Sequence, residues 1–243
     1  MEKKIQRITA GDIVWETELP LRDNSNVQRP RAPKHLSVAE AQRNANQRRS
    51  CQQLEMLLAA NFPTPGSAVV GVGTFDDDHL PRSRDETLTR FNYFRNSKLR
   101  RERAALDLPP PIVIWAPEIL TSQDNRWHVH FVVNATGHDF KMLKRLWIYG
   151  KITDFKPLRV DEHKNHASLA HYLSKELRDV QDYKSKPGLR SWSCSRNAKR
   201  PEVDVMIVDA SYELTLPPGC VLLDEEPAVT GFEGHTIKYR TAR

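Results

Sequence analysis

RWHVHFVV, residues Arg126 to Val133, is an aromatic and β-branched run that carries two histidines with one residue between them. In a strand successive side chains alternate faces, so His128 and His130 project together while Val129, Phe131 and Val133 point the other way. The run before it, PPPIVIWAPEIL (109–120), opens on prolines and reads as a second strand. The polar stretch TSQDN (121–125) joins the two as antiparallel neighbours. Further out, SAVVGVGTF (67–75) reads as a short strand closed by Asp76, Asp77, Asp78 and Pro81, and ITDFKPLRV (152–160) as another.

Helical patterns separate these strands. Ser37 and Glu40 form a capping box ahead of a long helix, in which Cys51, Leu54 and Leu58 recur at helical spacing until the prolines of AANFPTP stop it. A second helix starts near Asp85 with Leu88, Phe91 and Phe94 inside and Arg95, Lys98, Arg100, Arg101 and Arg103 outside. Those cations are either a solvated face or a phosphate-binding one. Asp139 caps a helix carrying Phe140, Leu143, Leu146 and Trp147, and NHASLAHYLSKEL begins another near Asn165. From Arg190 onward, RSWSCSR, EVDVMIV, YELTLPPG and GHTIKYR read as short strands and turns. Residues 21–36, polar, basic and proline-punctuated, read as a linker or arm.

With 37 Lys+Arg against 31 Asp+Glu, the 243-residue chain has a formal charge of +6 and suits an anionic partner such as nucleic acid. Cys51, Cys194 and Cys220 are odd in number and never in C-x-x-C spacing, which argues against a disulfide framework or zinc ribbon and for a reducing, cytoplasmic setting. No apolar stretch approaches the ~20 residues needed to cross a bilayer, so no membrane partner is expected. The absence of G-x-x-x-x-G-K-[ST] argues against a nucleotide cofactor.

Two imidazoles on one strand face can chelate one metal ion, or each can hydrogen-bond in a wet pocket. Glu118, at the end of the preceding strand, can complete a His128, His130, Glu118 set, with His79 and Asp76 to Asp78 as rival third ligands. Imidazole plus carboxylate suits Mn²⁺ or Mg²⁺ acting on a phosphate oxygen. On the helix ASLAHYLSKEL, Leu169, Leu173 and Leu177 form a stripe with Tyr172 about 100° from its centre and Lys175 on Tyr172's side. An ammonium near a phenol stabilises phenolate and neutralises phosphate; the plainer alternative is a tyrosine at a core boundary beside a solvated lysine.

The order VVGVGTFDDDHLP, RWHVHFVV, HYLSKE resembles the three motifs of the HUH endonucleases. It is most similar to the rolling-circle replication-associated proteins of phages, plasmids and integrated elements. NANQRRSCQQLEMLLAANF, LWIYGKI and RSWSCSRNAKRP extend the resemblance across roughly residues 37–205. It implies an α+β fold with a central antiparallel sheet of about five strands flanked by helices, the H-x-H on the central strand. Residues 1–36 are then a basic N-terminal arm, 37–205 the nicking domain and 206–243 a β-rich extension of it.

The resemblance also implies a metal-dependent, site-specific single-strand DNA endonuclease and ligase that initiates rolling-circle replication. His128 and His130 match the metal ligands, Glu118 matches in approximate position, Tyr172 matches the nucleophile and Lys175 its accompanying basic residue. Arg95, Lys98, Arg100, Arg101, Arg196, Lys199 and Arg200 are the DNA-binding candidates. Attack by tyrosine leaves a 5′-phosphotyrosyl link and a free 3′-OH. The implied partners are single-stranded DNA at an origin, as a hairpin, with a host helicase and DNA polymerase. A relaxase, a transposase or an inactive nucleic-acid-binding module of the same fold are the alternatives. The first motif departs from the pattern, with Gly71 and Gly73 where a Thr-rich strand is expected, although Thr74 and Phe75 fit. A second Y-x-x-K, Tyr183 with Lys186, lies in QDYKSKPGLR, where Lys-Pro-Gly implies a turn.

Overall fold

The alternating runs pair into two five-stranded antiparallel sheets in the computed structural model. It describes residues 2–19, 21, 36–120, 126–135, 139–160, 165–174, 191–226 and 234–241, excepting the side chains of 36–45 and 120. In chain order the elements are β1 (Glu2–Ala10), β2 (Ile13–Leu19), α1 (Leu36–Asn61), β3 (Val69–Thr74) and α2 (Arg84–Tyr93). A π-helical segment (Phe94–Leu99) then runs into α3 (Arg100–Ala105), followed by β4 (Val113–Leu120), β5 (Arg126–Val133), α4 (Phe140–Leu146) and β6 (Ile152–Pro157). The remainder is α5 (Ala167–Ser174), β7 (Ser193–Cys194), β8 (Glu202–Asp209), β9 (Val221–Glu226) and β10 (Thr236–Arg240). No helix among the described residues is long and apolar enough to cross a membrane.

The chain divides into two compact units, one made of Met1–Ala60 with Lys199–Arg243 and the other of Asn61–Ala198. These limits differ from the expected 1–36, 37–205 and 206–243. Residues 2–19 are not an arm: Ile5, Ile13, Val14 and Trp15 are buried, and their strands pair with strands from the far end of the chain. Of the segments after Arg190, YELTLPPG forms no strand and ends in a turn, as Pro217 and Pro218 have no N–H to give a ladder. The Ser37–Glu40 cap and residues 22–35 lie outside what is described.

In the first unit the sheet order is β8-β1-β2-β10-β9. Ile5, Val14, Ile237, Tyr239 and Leu214 fill one apolar cluster, while Ala10, Ile13 and Trp15 pack with Met56 and Ala59 of α1. Buried Glu16 accepts hydrogen bonds from Arg7 Nε (2.5 Å) and Tyr239 Oη (3.0 Å). Burial, and then the Glu16 carboxylate, push the Tyr239 phenol from its ordinary 10 up to about 12. The consequence has a definite sign. Between pH 10 and 12 the unfolded chain releases a phenolic proton that the folded chain retains, so stability falls as pH rises through that window. Tyr239→Phe is expected to flatten this alkaline loss, on the order of 2 kcal/mol, in urea titrations from pH 8 to 12. An unchanged alkaline slope would sink the assignment.

In the second unit the order is β6-β3-β5-β4-β7, with β5 at the centre. Val129, Phe131 and Val133 face an apolar layer with Phe91, Phe94, Trp115, Leu143 and Trp147, supplied by β4, α2, the π-helical segment, α4 and the turn after it. Phe91 lies 5.8 Å from Phe131, and Phe94 meets Trp147 edge-on at 5.3 Å. Ser83 caps α2 by accepting from the Glu86 N–H (3.2 Å). Asp139 stands at the N-cap position of α4, but its side chain makes no capping bond there.

The two glycines of β3 are explained by this layer. A Cβ on Gly73 would lie 2.8 Å from the Trp147 ring, and one on Gly71 would lie 2.8 Å from Phe155 and 2.9 Å from Phe131. Trp147 is 2% exposed, and its indole N–H donates to the Thr74 carbonyl at 2.8 Å, so the ring has no room to yield. Gly73→Ala is therefore expected to cost about 1–3 kcal/mol in urea denaturation. Wild-type stability in that variant would show that Trp147 repacks freely.

Candidate active site

The register of the central strands builds one polar row across the sheet. His128 stands opposite Thr74 of β3 and Glu118 of β4, and His130 stands opposite Val72 and Ala116. Because this face is the one turned away from the aromatic layer, the imidazoles are free of the core yet well shielded, 8% and 3% exposed. The His130 ring is hydrogen-bonded through Nε2 to the Glu118 carboxylate.

Above this face lies α5. Asn165 Oδ1 accepts from the Ala167 N–H (3.0 Å) at its start, and Ala170, Leu173 and Ser174 form its buried stripe. Tyr172 falls beside that stripe, 47% exposed, with its ring edge-on to His130 at a centroid distance of 5.1 Å and 88°. Leu169 is half-buried, whereas Leu177, Lys175, Tyr183 and Lys186 lie outside the described residues.

These side chains surround an open cavity of about 480 Å³ whose polar walls are Thr74, Glu118, Arg126, His128, His130, Thr153, Asp154 and Tyr172. Glu118 thus shares the cavity with both histidines. The rival ligands do not line it. His79 Nδ1 is bonded to Asp76 at 2.7 Å, and Asp77 pairs with Arg126. Asp76 also caps a short 3₁₀ turn (Asp77–His79) by accepting from the His79 N–H.

Three of the wall residues, Arg126, Thr153 and Asp154, were not expected. Asp154 enters through a β-bulge: β6 places Asp154 and Phe155 against Gly71 alone, since Val70 pairs with Lys156 and Val72 with Thr153. Asp154 takes a left-handed φ of 48°, and the extra residue brings the consecutive Thr153 and Asp154 both to the cavity. The only sequence sign of this was an aspartate inside a strand pattern, a poor strand former. Arg126, the first residue of β5, brings a cation to the rim and is half-buried.

The donor set fits a divalent cation in kind. Burial, and then neighbouring His130, hold the His128 imidazole below its ordinary value, opposed by Glu118, so the ring stays in the neutral form that ligates metal. His128, His130 and Glu118 are the residues that would hold such an ion, with Asp154 nearby on the same cavity wall. As the side chains stand, Glu118 is engaged with His130. Among the described residues no three His, Cys, Asp or Glu side chains gather around one point as a ready metal cluster.

The basic candidates separate. Arg95, Arg100 and Arg196 line another cavity, Lys98 Nζ lies 5.6 Å from the Tyr93 ring centre, and Arg101 is exposed. Lys199 and Arg200 are exposed and belong to the other unit. Arg103, expected on the outside, is 4% exposed and donates to the carbonyls of Pro109 (2.7 Å) and Asn134 (3.0 Å), so it ties loops together. Comparison of the chain with protein-family models, with curated proteins and with solved structures finds no match.

Proposed function

We propose that the protein is a metal-dependent single-strand DNA nicking and joining enzyme that uses Tyr172 as nucleophile and serves rolling-circle replication. The observation that carries this reading is the meeting, in one cavity, of a histidine pair, a carboxylate and a half-exposed tyrosine edge-on to one of the histidines. A divalent cation bound by His128, His130 and Glu118 would supply Lewis-acid polarisation of a phosphoryl oxygen.

The chain's own groups account for the rest of the chemistry. α5 holds the phenol at the cavity mouth, where a phosphodiester can approach from solvent, and Arg126 offers positive charge at the rim. Tyr172 Oη attacks phosphorus and loses its proton. The bond to the 3′ oxygen breaks, and that oxygen leaves as a hydroxyl. The 5′-phosphotyrosyl ester keeps the bond energy, so the same step in reverse rejoins ends without ATP. Lys175 follows Tyr172 by three residues in sequence and is proposed as the basic residue whose ammonium favours phenolate. An origin hairpin, a host helicase and a polymerase are the partners this activity requires.

The direct Glu118–His130 hydrogen bond favours a second reading, a nucleic-acid-binding module that keeps the fold without the activity. Single-stranded oligonucleotides incubated with the protein and Mn²⁺ or Mg²⁺ distinguish the two on a denaturing gel. A metal-dependent cut with protein attached to the 5′ end supports the enzyme. Tight binding with no cut on any strand from the adjacent replicon supports the module.

A further inference from the structure

A larger cavity of the same unit lies on the other side of its sheet. It encloses about 720 Å³ between the π-helical segment, the start of β4 and the turn after β7. Val113 lines it, and Trp115, which supports it, belongs to the aromatic layer, so by strand alternation this is the face opposite Glu118.

The π-helix sets its chemistry. The Arg100 N–H bonds to the Arg95 carbonyl five residues back. In an α-helix those positions stand about 140° apart, but the wider turn stacks them on one side. Arg95 is held there: its guanidinium lies 4.1 Å over the Trp115 ring and its Nε donates to Asn92 (2.9 Å). Arg196 arrives from the opposite wall on a fixed turn. Ser195 N–H donates to the Val113 carbonyl (2.8 Å), Ser195 Oγ accepts from Val113 N–H (3.0 Å), and Asn197 Nδ2 donates to the Pro111 carbonyl (3.3 Å). Among the described residues no carboxylate lines the cavity and none pairs with Arg95, Arg100 or Arg196. Three guanidiniums lining one space, that of Arg95 held in place, repel each other unless an anion lies between them. Pro110, Pro111 and Val113 add an apolar wall, and the volume suits a nucleotide.

We infer that this cleft is a nucleotide subsite, binding a phosphate between Arg95, Arg100 and Arg196 with the base or sugar against the prolines. Its source is one internal nucleotide of a single strand, an assignment that rests on the proposed nicking function; a free nucleotide is the other source of the same chemistry.

Anisotropy with labelled oligo(dT) of about 6 to 20 residues, in EDTA and in the Tyr172→Phe background, reads binding without any cleavage. Arg100→Ala and Arg196→Ala are each expected to weaken binding about 5- to 10-fold. Each should also lower the slope of log K against log[salt] by about 0.7 for every phosphate that the variant no longer neutralises. Unaltered thermal melting of both variants is expected, since Arg100 and Arg196 are exposed. Unchanged affinity and slope in both variants would overturn the subsite, even in a protein that nicks. The expected slopes in a protein that never nicks would uphold it and reject the nicking reading alone. Thymidine monophosphate that binds more tightly than the oligonucleotide, and loses that binding in Arg100→Ala, would overturn the strand as its source.

Discussion

Tyr172→Phe is expected to eliminate the covalent protein–DNA adduct, lowering nicking on the order of 10³-fold or more, while DNA and metal binding persist. The substitution removes only the hydroxyl, and the ring, 5.1 Å from His130, keeps its packing and its place on α5. Tyr183→Phe is expected to leave the adduct largely intact, because the Lys-Pro-Gly sequence that follows Tyr183 favours a turn, whereas Tyr172 rides a helix anchored by buried Ala170, Leu173 and Ser174. Mass spectrometry of the trapped adduct after proteolysis decides between them. A nucleotide on a peptide holding Tyr183 and not Tyr172 would overturn the assignment.

The second large effect is at the histidine pair. His128→Gln with His130→Gln should remove nicking by about three orders of magnitude, the several kcal/mol that a Lewis acid contributes, and should weaken Mn²⁺ binding in parallel. Glutamine is preferable to alanine here because both rings are buried, and truncation would leave voids beside Glu118 that confound stability with activity. Glu118→Ala is expected to reduce metal affinity more than His79→Ala, since His79 is engaged by Asp76 and lies off the cavity. Full activity of the double variant, or of wild type in EDTA, would refute the metal site. A larger effect of His79 would relocate the third ligand.

Much of the central sheet was legible because its strands carry their own signals. RWHVHFVV states its alternation outright, and its neighbours are bounded by proline or acidic turns. Glu118 was legible as a strand-end neighbour of the histidines, and it stands opposite His128 because a short connection between antiparallel strands leaves little freedom of register. Asp154 was hidden, because a bulge is a property of the pairing between β6 and β3 and not of either run alone. The first sheet was hidden for a related reason. EKKIQRITA looks like a charged tail until β8, about two hundred residues later, supplies the ladder partner that makes Ile5 a core residue. Gly71 and Gly73, read as departures from a motif, mark the approach of Phe131, Phe155 and Trp147, side chains brought in by distant segments.

That ladder also sets an order of events during synthesis. The β1–β2 hairpin emerges from the ribosome early, yet both of its flanking partners, β8 and β10, lie beyond the whole of Asn61–Ala198. At roughly 5–20 residues per second, the nascent hairpin waits on the order of ten seconds or more with both edges unpaired, while the intervening unit has its full sequence first. The catalytic candidates are thus translated and able to fold before the sheet that brackets them can close. A messenger cut short after residue 198 would yield a chain with the histidine cavity encoded in full and the first hairpin permanently exposed to aggregation.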